Sequence, residues 1–208
     1  MSCSSGGVPG VYCLAMPIQG ENEMGILLGR EMYSYPKKVA RIKFYRRGDD
    51  LFASIERNGI TFFEIRAEIG KTNLPNIDTL MPAPKLEVDY SGFVYLLDYK
   101  LECVGKDAPA MKSLTFNNVK LFRQNNVERF HSFDRCKIDV TIRPSEDDPW
   151  IEIAPKTLLG GSYCIMDTEM YGTELAKTYE GEEVEQVIPY LFTRYDGTML
   201  GKQHEIHI

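Results

Sequence analysis

The chain has 208 residues, 43% hydrophobic and 26% charged, a size and balance typical of one large globular domain and unlike a disordered chain. Its 24 Lys and Arg face 30 Asp and Glu, a net charge of −6, which argues against a phosphate-neutralising surface and so against nucleic acid as a partner. No apolar run nears the roughly 18 residues of a membrane span, so no membrane partner is expected.

Residues 10–18 (GVYCLAMPI) form an apolar run suited to a buried strand. In 21–33 (ENEMGILLGREMY), Met24, Ile26, Leu27, Leu28 and Met32 recur at a spacing that suits one or two helical turns about as well as a strand, with Asn22 as cap. Pro36 ends any such helix and drives Tyr35 into an extended conformation. Residues 39–46 then alternate, Ala40, Ile42 and Phe44 on one face against Arg41, Lys43 and Tyr45 on the other. RGDD (47–50) reads as a turn, 51–57 as the return strand, and Asn58-Gly59 as a type I′ turn into a third strand, 60–69.

The stretch 71–92, with Pro75, Pro82 and Pro84, reads as a loop. Further strands are expected at 93–104, 118–123, 127–132, 135–143 and 149–154, with SEDDP (145–149) turning between the last two. Gly160-Gly161 precedes a β-like GSYCIMD, and EEVEQVIPYLFTRY from Glu182 suggests a short helix interrupted near Pro189, before a frayed tail, GKQHEIHI. The sum is a single, mainly β domain over residues 1–208, a sandwich or barrel with one or two peripheral helices.

Several chemistries find no support. The five cysteines, Cys3, Cys13, Cys103, Cys136 and Cys164, form no CxxC pair, which points to free thiols in a reducing compartment. The opening MSCSSGGVPG has no basic region leading into an apolar one, so a cytoplasmic location is expected. No GxSxG, GxGxxG or GxxxxGK[ST] occurs. His204-Glu205-Ile206-His207 reads as tail rather than half a metal site, and His131 has no nucleophile motif to serve. Glu169 and Glu174 are the acids considered as a stand-in catalytic carboxylate, whereas Glu182, Glu183 and Glu185 read as the solvated start of a helix.

One segment stands out: Gly29-Arg30-Glu31, a three-residue spacer, then Tyr35-Pro36-Lys37-Lys38. A dibasic pair alone would read as exposed side chains at a strand start. GRE-x3-aromatic-Pro-Lys-Lys, however, resembles the signature of the acetoacetate decarboxylase superfamily. Gly10-Val11-Tyr12 upstream and the hairpin meander downstream agree with that family's pattern, over about residues 8–70 and more loosely beyond. The resemblance implies an antiparallel β-barrel or meander of the acetoacetate decarboxylase-like type. It also implies Lys37 as Schiff-base nucleophile, Lys38 as its electrostatic neighbour, Tyr35 and Met16 as pocket wall, and Arg30 and Glu31 as a supporting ion pair. It further implies that the family's upstream third, with strands that complete the barrel, a substrate-binding arginine and two glutamates, has no counterpart here.

The chemistry gives such a lysine its reason. A β-keto acid loses CO2 only if the electrons left behind have a sink, and a protonated imine is one that needs no metal or organic cofactor. The attacking amine must be neutral, yet an ordinary lysine is only roughly 0.04% neutral at pH 7, so some 4–5 kcal/mol must be set against the ammonium form. Desolvation and a neighbouring like charge are the two sources, and acetoacetate decarboxylase is the standard example of both. Strict alternation, though, places Lys38 rather than Lys37 on the face of Ala40, Ile42 and Phe44, so an inward Lys37 requires a turn or bulge after Pro36.

The expected function is therefore cofactor-independent decarboxylation of a small β-keto acid, in a chain that assembles as a homo-oligomer. The alternatives are a Schiff-base aldolase or dehydratase of the same superfamily and a non-catalytic barrel that binds a small ligand.

Overall fold

The computed structural model describes residues 2–5, 7–13, 15–31, 33, 35–102 and 113–187. Strands β1 (Ser2–Ser5), β2 (Val8–Tyr12) and β3 (Met16–Gln19) lead into helix α1 (Glu23–Glu31). The meander follows as β4 (Lys37–Arg47), β5 (Asp50–Arg57) and β6 (Ile60–Ile69). Asn58 and Gly59 both take positive φ (49° and 78°), as the turn chemistry requires. A short helix α2 (Ile77–Leu80), strands β7 (Glu87–Glu102) and β8 (Ser113–Ile142), a 3-10 turn (Trp150–Ile153), strand β9 (Gly161–Glu180) and helix α3 (Glu182–Val187) complete the order.

The strands form one mixed sheet in the order β1-β2-β7-β8-β6-β5-β4-β3, with β9 also pairing β8. Mainly β architecture with peripheral helices is what the sequence predicts. The closed, antiparallel barrel is corrected: among the described residues the sheet is open, and two neighbouring pairs, β2–β7 and β3–β4, run parallel. A parallel pair needs a crossover between its strands, and for β3–β4 that crossover is α1. The β3–α1–β4 unit fixes where the paired lysines fall, at the first two residues of the strand that leaves the helix.

Other expectations also change. The run 10–18 is divided between β2 and β3, and the proline-rich 71–92 contains α2 and the start of β7. Three separate strands within 118–143 are one 30-residue strand, which pairs β7 through its first half, β6 through its last residues and β9 along its other edge. Its Gln, Asn, Ser and Asp residues mimic turn composition, yet they sit in a continuous ladder with local register shifts. Residues 149–154 curl into the 3-10 turn instead of a strand, and Trp150 meets the buried Phe62 edge-on, with ring centroids 5.1 Å apart. Phe44 is exposed although it alternates in phase with buried Ala40, because the far end of the β4–β5 hairpin runs past the core. Pro189 and the tail lie outside the described residues.

Candidate active site

Helix α1 begins where Asn22 Oδ1 accepts the Gly25 N–H at 2.9 Å, the capping that the sequence predicts. Beyond its last turn the chain doubles back, the Tyr35 N–H donating to Gly29 O at 2.9 Å, so Tyr35 and its successors lie against the helix they have just left. Lys37 extends its side chain over buried Gly29, where a Cβ would overlap its Cε and Nζ. The Lys37 ammonium donates to Gly25 O at 2.5 Å. Among the described residues it makes no ion pair. Met16 stands opposite Lys37 in the parallel β3–β4 register.

Lys38 faces the other way. It is 4% exposed, and its ammonium donates to Asp147 O at 2.6 Å and pairs with Asp148 Oδ1 at 3.4 Å. The second Asp148 oxygen takes Arg57 Nη1 at 2.6 Å, while Arg57 Nε donates to Val39 O at 2.8 Å. Asn58 Nδ2 donates to Asp147 Oδ2, and the Asp148 N–H to Ser145 Oγ. This buried network staples the start of β4 and the β5–β6 turn to the loop 143–149, itself anchored by Trp150 on Phe62. The expected reset of register after Pro36 does not occur. The pairing from Met16–Lys37 to Gln19–Ala40 is unbroken, and Lys38 and Ala40 are buried together. Lys37 instead faces the helix. Lys38, expected as the electrostatic neighbour of Lys37, directs its charge into a carboxylate on the opposite face, which weakens its field at Lys37.

A polar wall adjoins the lysine segment. Tyr35 Oη donates to Gln124 Oε1 at 2.6 Å, and Gln124 Nε2 donates to Tyr171 O at 2.9 Å. Gln124 and Asn126, both buried, lie two residues apart on β8, and Asn126 pairs with Tyr90 of β7. Burial, then the nearby Cys13 and Tyr33, hold the Tyr35 phenol above its ordinary pKa. Burial and the Glu128 carboxylate push Tyr90 up to about 12. Both phenols are therefore protonated, neutral hydrogen-bonding groups at neutral pH. Sequence reasoning missed Gln124, Asn126 and Asp148, since their stretches read as turns. The only available signals were polar residues alternating within β-compatible segments and a double Asp next to Pro-Trp.

The remaining candidates stand apart. Arg30 is exposed in the last turn of α1 and makes no ion pair among the described residues. The expected pair with Glu31 joins consecutive helical positions, which do not face each other, and the Glu31 side chain lies outside the described residues. Glu169 is exposed, bound by Arg129 and Tyr171, and Arg129 holds its carboxyl below the usual range. Glu174 pairs with Arg123, and His131 lies exposed 2.9 Å from Asp167. Cys136 and Cys164 are free thiols, the first pushed up by burial. Among the described residues, no helix is long and apolar enough to cross a membrane.

An open mixed sheet with a short βαβ crossover, delivering a lysine pair to opposite faces of one strand, defines the class. The sequence matches the acetoacetate decarboxylase (ADC) family over residues 1–179, and the chain belongs to that family. Two solved acetoacetate decarboxylases share the fold, each with a TM-score of 0.62 over 86% of this chain. One is 16% identical and is covered over 66% of its length; the other, from Legionella pneumophila, is 15% identical and covered over 64%. The CLA biosynthesis isomerase of Lactiplantibacillus plantarum is 25% identical over 207 residues, 96% of this chain and 70% of its own length. The family thus includes a member named for isomerisation as well as decarboxylases.

Proposed function

We propose that the protein is a lysine-imine enzyme acting on a small oxo acid, with Lys37 as the amine that condenses with the substrate carbonyl. One observation carries this reading: the Lys37 amine rests on a neutral backbone carbonyl beside a glycine, whereas the Lys38 amine is committed to a buried carboxylate. Of the two, Lys37 alone can lose its proton without dismantling a buried ion pair.

For a β-keto acid the steps balance as follows. The Lys37 amine adds to the ketone carbon and water leaves, giving a protonated imine. The C–C bond to the carboxylate breaks, CO2 departs, and the electron pair moves into the C–N system as an enamine. A proton then adds at carbon, and water hydrolyses the new imine to return the product ketone and free Lys37. On this reading Tyr35, two residues before Lys37, and Met16, its register partner on β3, line the approach to the amine. No metal or organic cofactor enters these steps.

The isomerase relative favours a second reading on the same residues. An imine that loses and regains a proton, without carbon–carbon cleavage, forms the same enamine and isomerises its substrate. Assembly belongs to the proposal as well: Ile165, Met166, Met170 and Leu175 on β9 are exposed, and their burial between copies is expected to give an oligomer in light scattering.

Incubation with acetoacetate or pyruvate, borohydride reduction and peptide mass spectrometry tests the central claim. An adduct on Lys37 supports it; no adduct, or one on Lys38 alone, overturns it. CO2 release then separates decarboxylation from isomerisation.

A further inference from the structure

Among the described residues two buried side-chain atoms lack a hydrogen-bond partner, Arg123 Nε and Asn126 Oδ1, both on β8. Asn126 is 4% exposed, and its Oδ1 has no hydrogen-bond partner among the described residues. Its Nδ2 lies 3.5 Å from Gln124 O, which fixes the orientation of the amide, because turning it over would set oxygen against oxygen. The same Nδ2 fills the space over Gly92, where a Cβ would come within 2.7 Å. Gln124 Oε1 accepts from Tyr35 and one Nε2 hydrogen goes to Tyr171 O; the other makes no bond to Asn126 Oδ1.

A buried acceptor without a donor destabilises the fold, and an apolar side chain of the same shape would be no worse for stability. An acceptor held in that state is suited to a ligand that brings the donor. The uncharged carboxamide oxygen does not attract a carboxylate or a carbonyl; it accepts from an O–H or N–H donor, and an oxo acid can carry the first as a hydroxyl. Asn126 is connected to the lysine segment through Gln124, two residues away on β8, which accepts from Tyr35, itself two residues before Lys37.

We propose that Asn126 determines specificity by accepting a hydrogen bond from a hydroxyl group of the substrate, so that the preferred ligand is a hydroxy-oxo acid whose carbonyl meets Lys37. The proposal rests on the lysine-imine reading for the site of the carbonyl, and its test is independent of imine formation.

Calorimetric titration of the full chain compares 4-hydroxy-2-oxobutanoate with 2-oxobutanoate, and 5-hydroxy-2-oxopentanoate with 2-oxopentanoate. At least one hydroxylated acid is expected to bind about tenfold more tightly than its deoxy counterpart. In Asn126→Leu that ratio falls to about one while the thermal midpoint stays at or above that of the wild type. Absence of any hydroxyl preference in the wild type overturns the proposal, as does its survival in Asn126→Leu or a Leu variant that fails to fold. Borohydride trapping on the same samples separates the two readings. A hydroxyl preference without an adduct sinks the imine and leaves Asn126 in place; an adduct without the preference does the reverse.

Discussion

The helix side and the loop side of the first turn of β4 handle the same side chain in opposite ways. On the helix side, α1 offers Lys37 a glycine and a backbone carbonyl, contacts that are neutral and close. On the loop side, residues 143–149 offer Lys38 a buried carboxylate already shared with Arg57. The first environment holds an amine without a carboxylate, which the proposed function requires of Lys37, and the second consumes its charge in holding the strand. Alternation along an extended chain makes this division possible with two consecutive residues of one type. The general lesson is that a dibasic pair in a strand is two sites, and each must be judged by what its own face supplies.

Four substitutions break or sharpen that contrast. Lys37→Ala is expected to abolish trapping and lower turnover by at least about a thousandfold, roughly 4 kcal/mol in the barrier, with the unfolding midpoint nearly unchanged. A fully active variant would return the chemistry to Lys38. Asp148→Ala leaves two buried cations without their carboxylate and is expected to cost about 3 kcal/mol or more in denaturant unfolding. A loss under about 1 kcal/mol would show the network to be ornamental.

Gly29→Ala separates activity from stability on the helix side. Alanine favours a helix interior over glycine by about 1 kcal/mol, so stability should hold or rise slightly. Its Cβ nonetheless displaces the Lys37 amine, and turnover should fall about a hundredfold. Equal losses of stability and turnover would mean the glycine serves packing alone.

The smallest effect is a pH dependence. Tyr90 titrates at about 12 in the folded chain against an ordinary 10.0, so its contribution is complete below pH 10 and is lost as pH rises through 12. Solvent screening at this partly exposed site reduces the loss to about 1 kcal/mol. Tyr90→Phe should flatten the stability profile between pH 10 and 12, measured by urea unfolding; an unchanged slope there would assign the effect to another group.

Much of the meander was legible because each of its signals is local. Asn58-Gly59 demands positive φ at both positions, Asn22 can reach the N–H of Gly25 within one turn, and Pro36 forbids the helix to continue. The GRE-x3-YPKK pattern marked the candidate lysines for the same reason, being ten adjacent residues. The continuity of β8 was not legible, since Gln124 and Asn126 look like turn residues until β7 and β9 pair with them on both sides. Nor was the partner of Lys38, which lies 110 residues away in a segment whose composition announces only a turn.

By itself, then, the sequence determined the meander, the lysine pair and the family these imply, all encoded within a few residues' reach. Only the tertiary structure decided which amine meets a carboxylate, which polar side chains are walled in, and that the sheet stays open. Those outcomes depend on burial and on long-range partners, and a polar residue's meaning changes sign when water is removed from around it.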